Sequence, residues 1–211
     1  MVDIDNISTD IQYFLKSKIL IINIPSKNVK GFKTLLGAVE KSEIEKVLFV
    51  SSTSVYENQN KIIHESTGSE SKDKPLFKIE SLFRNSSKVA NTVVRFGGLI
   101  GYGRHPGRFF PSGKTCKDPD SFVNLIHRDD CIEIITQILE KEIWENDFNC
   151  CADTHPTKRE YYTKAAKFIG TEVPEFENTG APSFKIISNK KVKNFLNYSF
   201  LHADVMDINY L

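Results

Sequence analysis

The chain has 211 residues, 40% of them hydrophobic and 11% aromatic, enough to bury a core as one domain or one domain with a small lobe. Its 28 basic and 27 acidic side chains leave a net charge of +1 and are scattered, which argues against nucleic acid or an anionic membrane as partner. Cys116, Cys131, Cys150 and Cys151 show no CxxC spacing and include an adjacent pair unsuited to a disulfide, so thiolate zinc is excluded, no metal is expected, and a reducing cytoplasm is the expected compartment.

In chain order, Thr9 and Gln12 fit a capping box, which predicts a short helix from Asp10 to Lys16. The N-terminal region is polar, and its longest apolar run, Ile19 to Ile22, is too short for a signal or membrane segment. That run lies in KILIINIP, read as a buried strand ending at Pro25 and Ser26. Val29, Phe32, Leu35, Leu36 and Val39 then recur at helical spacing. A second continuous apolar strand, Val47 to Val50, closes a βαβ unit and runs into four hydroxyls, Ser51, Ser52, Thr53 and Ser54. In open α/β sheets the carboxyl ends of the strands are where ligands bind.

A polar loop (57–73) precedes a helix opened by Pro75, with Leu76, Ile79 and Phe83 as its buried stripe. TVVRF (92–96) is the third strand, followed by the glycine-rich GGLIGYGRHPGRFF. Asp129 or Asp130 is expected to cap a helix with Ile132, Ile135 and Leu139 inward, and DFNCCA to form a fourth strand. Beyond it, Pro156 opens a helix with Tyr161, Ala165 and Phe168 inward and Gly170 as its stop. A KIIS strand and the helix NKKVKNFLN follow. The predicted architecture is α/β: a partial Rossmann-type parallel sheet with flanking helices over residues 1–150, and a small C-terminal substrate lobe over 151–211 on which the 101–121 loop packs.

Two glycine motifs are misleading. GYGRHPG has GxGxxxG spacing and does not directly follow a strand, so it is no pyrophosphate cradle; SGKT (112–115) lacks the upstream glycine spacing of a P-loop. His64, His155 and His202 read as ordinary surface residues, whereas His105 and His127 stand in richer surroundings.

VLFVSSTSVY, VVRFGGLIGYGRHPGRFF and VNLIHRDDC, in that order, resemble the NAD(P)-dependent epimerase/dehydratase branch of the extended short-chain dehydrogenase/reductases, over about residue 18 to the end. The resemblance implies NAD or NADP as cofactor and a small-molecule substrate, typically a nucleotide sugar or similar polyol. It implies that Ser52, with Thr53 as the alternative register, bonds the reacting substrate oxygen. It places Pro25, Ser51, Phe96, Gly97 and Gly98 on the cofactor and Arg104, His105, Arg108, Asn124 and His127 on the substrate.

Two features depart from the family pattern. No strand, GxGxxG turn and helix for the cofactor's pyrophosphate is found, which implies that the adenosine half of the site is missing and that strand 18–24 is an exposed edge prone to self-association. The YxxxK acid/base pair is also absent: in the register that aligns Glu80, Lys72 and Leu76 occupy its positions, and Tyr56 and Tyr102 are the nearest phenols. Two readings follow: an oxidoreductase or epimerase of this family, or a non-catalytic paralogue or fragment that retains a ligand-binding or interaction role.

Overall fold

The computed structural model describes residues 3–5, 11–111, 113–181, 183–207 and 209. The chain forms two compact units, each discontinuous in sequence: Met1–Tyr56 with Glu70–Arg95 and Ile138–Phe148, and Glu57–Ser69 with Phe96–Gln137 and Asn149–Leu211.

The main sheet contains β1 (Ile19–Ile22), β2 (Lys46–Ser52), β4 (Ala90–Phe96) and β8 (Asp147–Cys150) in the order β1-β2-β4-β8, with β1 at one edge. β1 and β2 are parallel, Ile19 opposite Lys46 and Ile22 opposite Phe49. β4 starts beside the start of β2, Ala90 N donating to Glu45 O at 2.9 Å. β4 and β8 advance together, Val93 N meeting Asn146 O at 2.8 Å and Gly97 N meeting Cys150 O at 2.9 Å. Such a sheet, reached through helical crossovers, needs apolar residues on both faces, which is why its strands read as unbroken hydrophobic runs.

In the first unit, α2 (Val29–Val39) opens where Asn28 Oδ1 accepts from Gly31 N at 3.0 Å, and α3 (Pro75–Arg84) opens on Pro75, whose missing N–H would have no helical acceptor there. Phe32 of α2, Phe49 of β2 and Phe83 of α3 meet in the core, with ring centroids 5.7 to 6.4 Å apart. Ile79 is fully buried beside them and Leu76 packs at the margin. α1 is described over Ile11–Phe14; Thr9, the expected cap, and Asp10, the expected first helical residue, lie outside the described residues.

The second unit is built from three short parallel pairs: β5 (Gly98–Ile100) with β7 (Leu125–His127), β6 (Thr115–Lys117) with β9 (Glu175–Glu177), and β10 (Lys185–Ile187) with β3 (Lys61–Ile63). α5 (Lys158–Phe168) carries a full capping box, Thr157 and Glu160 each bonding the other's backbone N–H. Tyr161 and Ala165 are buried as expected, but Phe168 is 50% exposed and instead covers the His105 ring. α6 (Lys190–Leu196) ends at Asn197 in the left-handed region, φ 51°.

α4 (Arg128–Glu140) corrects a second expectation. Its buried face holds Asp130, Cys131, Ile134 and Ile138, while Ile132 is 55% exposed. Sets 131/134/138 and 132/135/139 both satisfy helical spacing and differ by one residue, about 100° of rotation. Asp130 decides between them: its Oδ1 accepts from Tyr198 Oη at 2.6 Å and from Leu201 N at 2.7 Å, so that carboxylate must point inward. Asp129 and Asp130 thus belong to the first turn of α4 and not to its cap.

Phe83→Ala should cost about 3 to 5 kcal/mol through the cavity left among three rings, whereas Ile132→Ala should stay within about 0.5 kcal/mol. Urea denaturation of both variants measures the contrast; comparable losses would mean that α4 is rotated from the orientation described.

Candidate functional site

In the first unit the hydroxyl turn rests on a buried ion network. Arg95, within β4, is fully buried and fork-bonded to Glu80 of α3, Nε to Oε1 at 3.1 Å and Nη2 to Oε2 at 2.6 Å. Its Nη1 donates to Glu70 Oε1 at 2.9 Å and to the Tyr56 phenol oxygen. Arg84 joins the cluster through Asp147 Oδ2 at 2.7 Å and Glu80 Oε2 at 3.4 Å. A guanidinium can be buried only where its donors are matched in this way.

The same network sorts the hydroxyls. Ser51 Oγ donates to Glu80 Oε1 at 2.5 Å, which commits it to the interior. Ser52 Oγ accepts from Ser54 N at 3.1 Å, capping the 3-10 turn Thr53–Val55, and keeps its own O–H proton free to donate. Thr53 is buried within that turn. Lys74 Nζ clamps the carbonyls of Ser54 at 2.6 Å and Tyr56 at 3.1 Å, so the turn is held from both sides. Pro25 lies exposed between β1 and α2.

The second unit draws six of the expected residues together. Gly98 N donates to Asn124 O at 2.8 Å, and a Cβ on Gly97 would lie 2.7 Å from that same oxygen. Phe96, just before them, is buried. Asn124 spends its side chain on the backbone of β10, Nδ2 to Lys185 O at 2.9 Å and Oδ1 from Ile187 N at 2.8 Å. His127 is buried at the end of β7 under Gly101, whose φ of 98° and missing Cβ let the backbone approach the imidazole. Arg104 ties the loop down, Nε to Leu99 O at 2.8 Å with its guanidinium over Phe109.

His105 and Arg108 stand apart from that group, on a 3-10 turn (Pro106–Arg108) whose Gly107 fits against Ala165 O of α5. His105 Nδ1 accepts from Gly107 N at 3.1 Å, which places the neutral ring's proton on Nε2; that atom is buried and has no hydrogen-bond partner among the described residues. Burial and the nearby Arg108 hold the His105 pKa below its ordinary value.

Sequence reasoning missed the surroundings of His127. Asp129 and His202 lie beside it, His202 half-buried with its ring 3.9 Å from that of His127, and Tyr102 donates to Asp129 Oδ1 at 2.6 Å. No local pattern identified His202, which lies 73 residues from Asp129. Arg95, by contrast, left a signal: an arginine inside the apolar TVVRF strand requires a buried carboxylate.

A general acid is not evident. Lys72 is exposed and Leu76 packs at the margin of the core, so neither stands in for the tyrosine and lysine that the resemblance expects. The Tyr56 phenol is buried against Arg95, and the bond to Asp129 raises the Tyr102 pKa, away from the working range of an acid/base.

A dinucleotide's pyrophosphate needs backbone N–H groups left open by glycine at a strand-to-helix turn. Residues 23–28, between β1 and α2, contain no glycine, and the close approaches at Gly31, Gly97 and Gly98 are filled by Ile4 O, Asn124 O and Leu125 Cδ2 of the protein itself. The described residues therefore do not fit the pyrophosphate.

A parallel sheet with crossover helices, a hydroxyl turn closing one strand and a glycine exit on its neighbour defines a Rossmann-type fold. The chain belongs to the family of protein YeeZ of Escherichia coli K12, to which it is 30% identical over 209 residues spanning 93% of this chain and 76% of the relative, and it shares the fold of NAD-dependent epimerase/dehydratase and short-chain dehydrogenase/reductase proteins. The YeeZ protein of E. coli O157:H7 matches equally. No profile of a protein family matches the sequence.

Among solved structures, UDP-glucuronic acid 4-epimerase from Bacillus cereus in complex with NAD superposes with a TM-score of 0.76 at 17% identity, over 97% of this chain and 76% of that one. A short-chain dehydrogenase/reductase superfamily protein from Agrobacterium tumefaciens with bound NAD gives 0.68 at 15%, over 87% and 74%. Human epimerase family protein SDR39U1 with NADPH gives 0.70 at 15%, over 90% and 80%. No helix among the described residues is long and apolar enough to cross a membrane.

Glu80→Ala should destabilise the chain by about 3 to 5 kcal/mol, because it strands a buried guanidinium; a loss under 1 kcal/mol in chemical denaturation would contradict the network. A pH effect follows from His105, His127 and His155, whose pKa values burial pulls below the ordinary 6.5. The unfolded chain then binds protons first, so their contribution is complete above about pH 6.5 and is lost as the pH falls through the depressed values. The urea midpoint should be higher at about pH 7.5 than at about pH 5.5, and a flat profile would count against these burials.

Proposed function

We propose that the chain acts as an NAD(P)-dependent oxidoreductase or epimerase of its family on a nucleotide sugar or similar polyol. Ser52 would donate to the reacting substrate oxygen, with Thr53 as the alternative, and His105 and Arg108 would receive the substrate's anionic group. Arg104, Asn124 and His127 would shape the substrate side of the second unit. Phe96, Gly97, Gly98, Pro25 and Ser51 would border the nicotinamide, a role drawn from family membership alone. The roles of Ser52 and of Arg108 are assigned to the two units separately.

The observation that carries this reading is the His105 Nε2–H, a buried donor with no acceptor among the described residues, at the head of the short turn that carries the exposed Arg108. A buried donor costs about 1 to 3 kcal/mol when left unmatched. An arginine fork beside it suits a phosphate or carboxylate. The B. cereus neighbour is named as acting on UDP-glucuronic acid, a substrate that carries both groups.

Calorimetry with UDP and UDP-sugars tests the proposal. UDP should bind, and Arg108→Ala or His105→Phe should each weaken it by about tenfold, roughly 1.4 kcal/mol. Unchanged affinity in both variants would refute the assignment. NAD and NADP should bind this chain only in about the millimolar range, since the charge-assisted bonds of a pyrophosphate cradle are worth roughly 1.5 to 3 kcal/mol each. Low-micromolar binding of either would reveal a cradle elsewhere, and absence of any sugar-dependent change in nicotinamide absorbance would favour a binding role over catalysis.

A further inference from the structure

We propose that His127, Asp129 and His202 form a binding site for one divalent transition-metal ion of the zinc class. Their donor atoms all lie within 4.8 Å of one another. Asp129 Oδ2 stands 3.3 Å from His127 Nδ1 and 3.2 Å from His202 Nε2. In a tetrahedral site with bonds of about 2.0 to 2.1 Å, neighbouring donors are about 3.3 to 3.4 Å apart. Both spacings to the shared carboxylate oxygen match that separation. Two imidazoles and a carboxylate are the donor set that borderline divalent ions prefer, and they leave a fourth position for water or a ligand.

Each donor is oriented by a neighbour. Tyr102 Oη holds the other oxygen of Asp129 at 2.6 Å, the outer-shell bond that metal-ligating carboxylates require. Asp130, the next residue of α4, fixes the second donor segment by accepting from Leu201 N at 2.7 Å and His202 N at 3.2 Å. Gly101 holds the His127 ring in place, since a Cβ there would lie 2.1 Å from its Nε2. His127 Nδ1 accepts from Asp129 N at 3.2 Å and lies 3.3 Å from Asp129 Oδ2, so an ion bound there would take the lone pair from that backbone bond. A bound ion would tie the turn at Leu201 and His202 to the head of α4. The cysteines are not competing ligands, because all four are buried and burial pushes their thiols up.

The test is titration of the metal-stripped full chain with Co²⁺, read by its visible absorption, then displacement by Zn²⁺. One equivalent should bind at micromolar concentration or tighter and raise the melting temperature. His202→Gln and Asp129→Asn should each weaken binding at least tenfold, Tyr102→Phe by about ten- to a hundredfold, and His64→Gln should change nothing. If Asp129→Asn fails to fold, His202→Gln carries the test, because that ring is only half-buried at the unit's surface. Binding of Co²⁺ by His202→Gln at wild-type strength, or no uptake by the wild type at tens of micromolar, would overturn the proposal. Neither result depends on the sugar or nicotinamide chemistry proposed above.

Discussion

The pairing of Arg95 with Glu80 is the interaction on which the first unit's candidate chemistry depends. Moving a guanidinium out of water costs several kcal/mol, and the cost is recovered only through matched geometry. Here β4 supplies the cation and α3 the anion, so strand and helix are locked in register. The same carboxylate takes the Ser51 hydroxyl. One buried pair therefore sets the helix against the sheet and decides which hydroxyl of the turn remains available.

A second constraint governs the other unit, where close backbone approaches take the place of buried charge. Gly97 and Gly98 let β5 lie against the segment from Asn124 to Leu125, and Gly107 lets the loop turn sit on α5. Asp130 then fixes the rotation of α4 and the course of the chain around Leu201. These contacts explain why glycines that resemble a nucleotide fingerprint serve packing: their missing side chains make room for the protein's own atoms.

The two constraints give the protein an unusual character within its family. The hydroxyl of Ser52 caps its own turn, and the positions at which the sequence resemblance expects a tyrosine and a lysine carry the exposed Lys72 and the partly buried Leu76. The phenol of Tyr102 is engaged by Asp129 and so is tuned away from proton transfer near neutrality. Among the described residues of the second unit, titratable side chains converge at His127, Asp129 and His202.

Much of the fold was legible in the sequence because its strands are buried on both faces and its helices are amphipathic. Apolar runs at Val47 to Val50 and within TVVRF, and the stripes of α2 and α3, report burial, whereas at Ile19 to Ile22 the strand was expected to be buried but is the sheet edge, with Ile21 exposed. The order of the three motifs was enough to identify the family. The rotation of α4 and the exposure of Phe168 were not legible, because neighbouring residues are equally apolar and only a distant partner, Asp130 with Tyr198 or His105 with Phe168, selects the face. Nor was the role of Glu80, Ser51 or His202. Local periodicity follows from which residues must leave water, and the sequence by itself determined that. Which polar groups meet across dozens of residues depends on how the buried elements stack, and only the tertiary structure decided it.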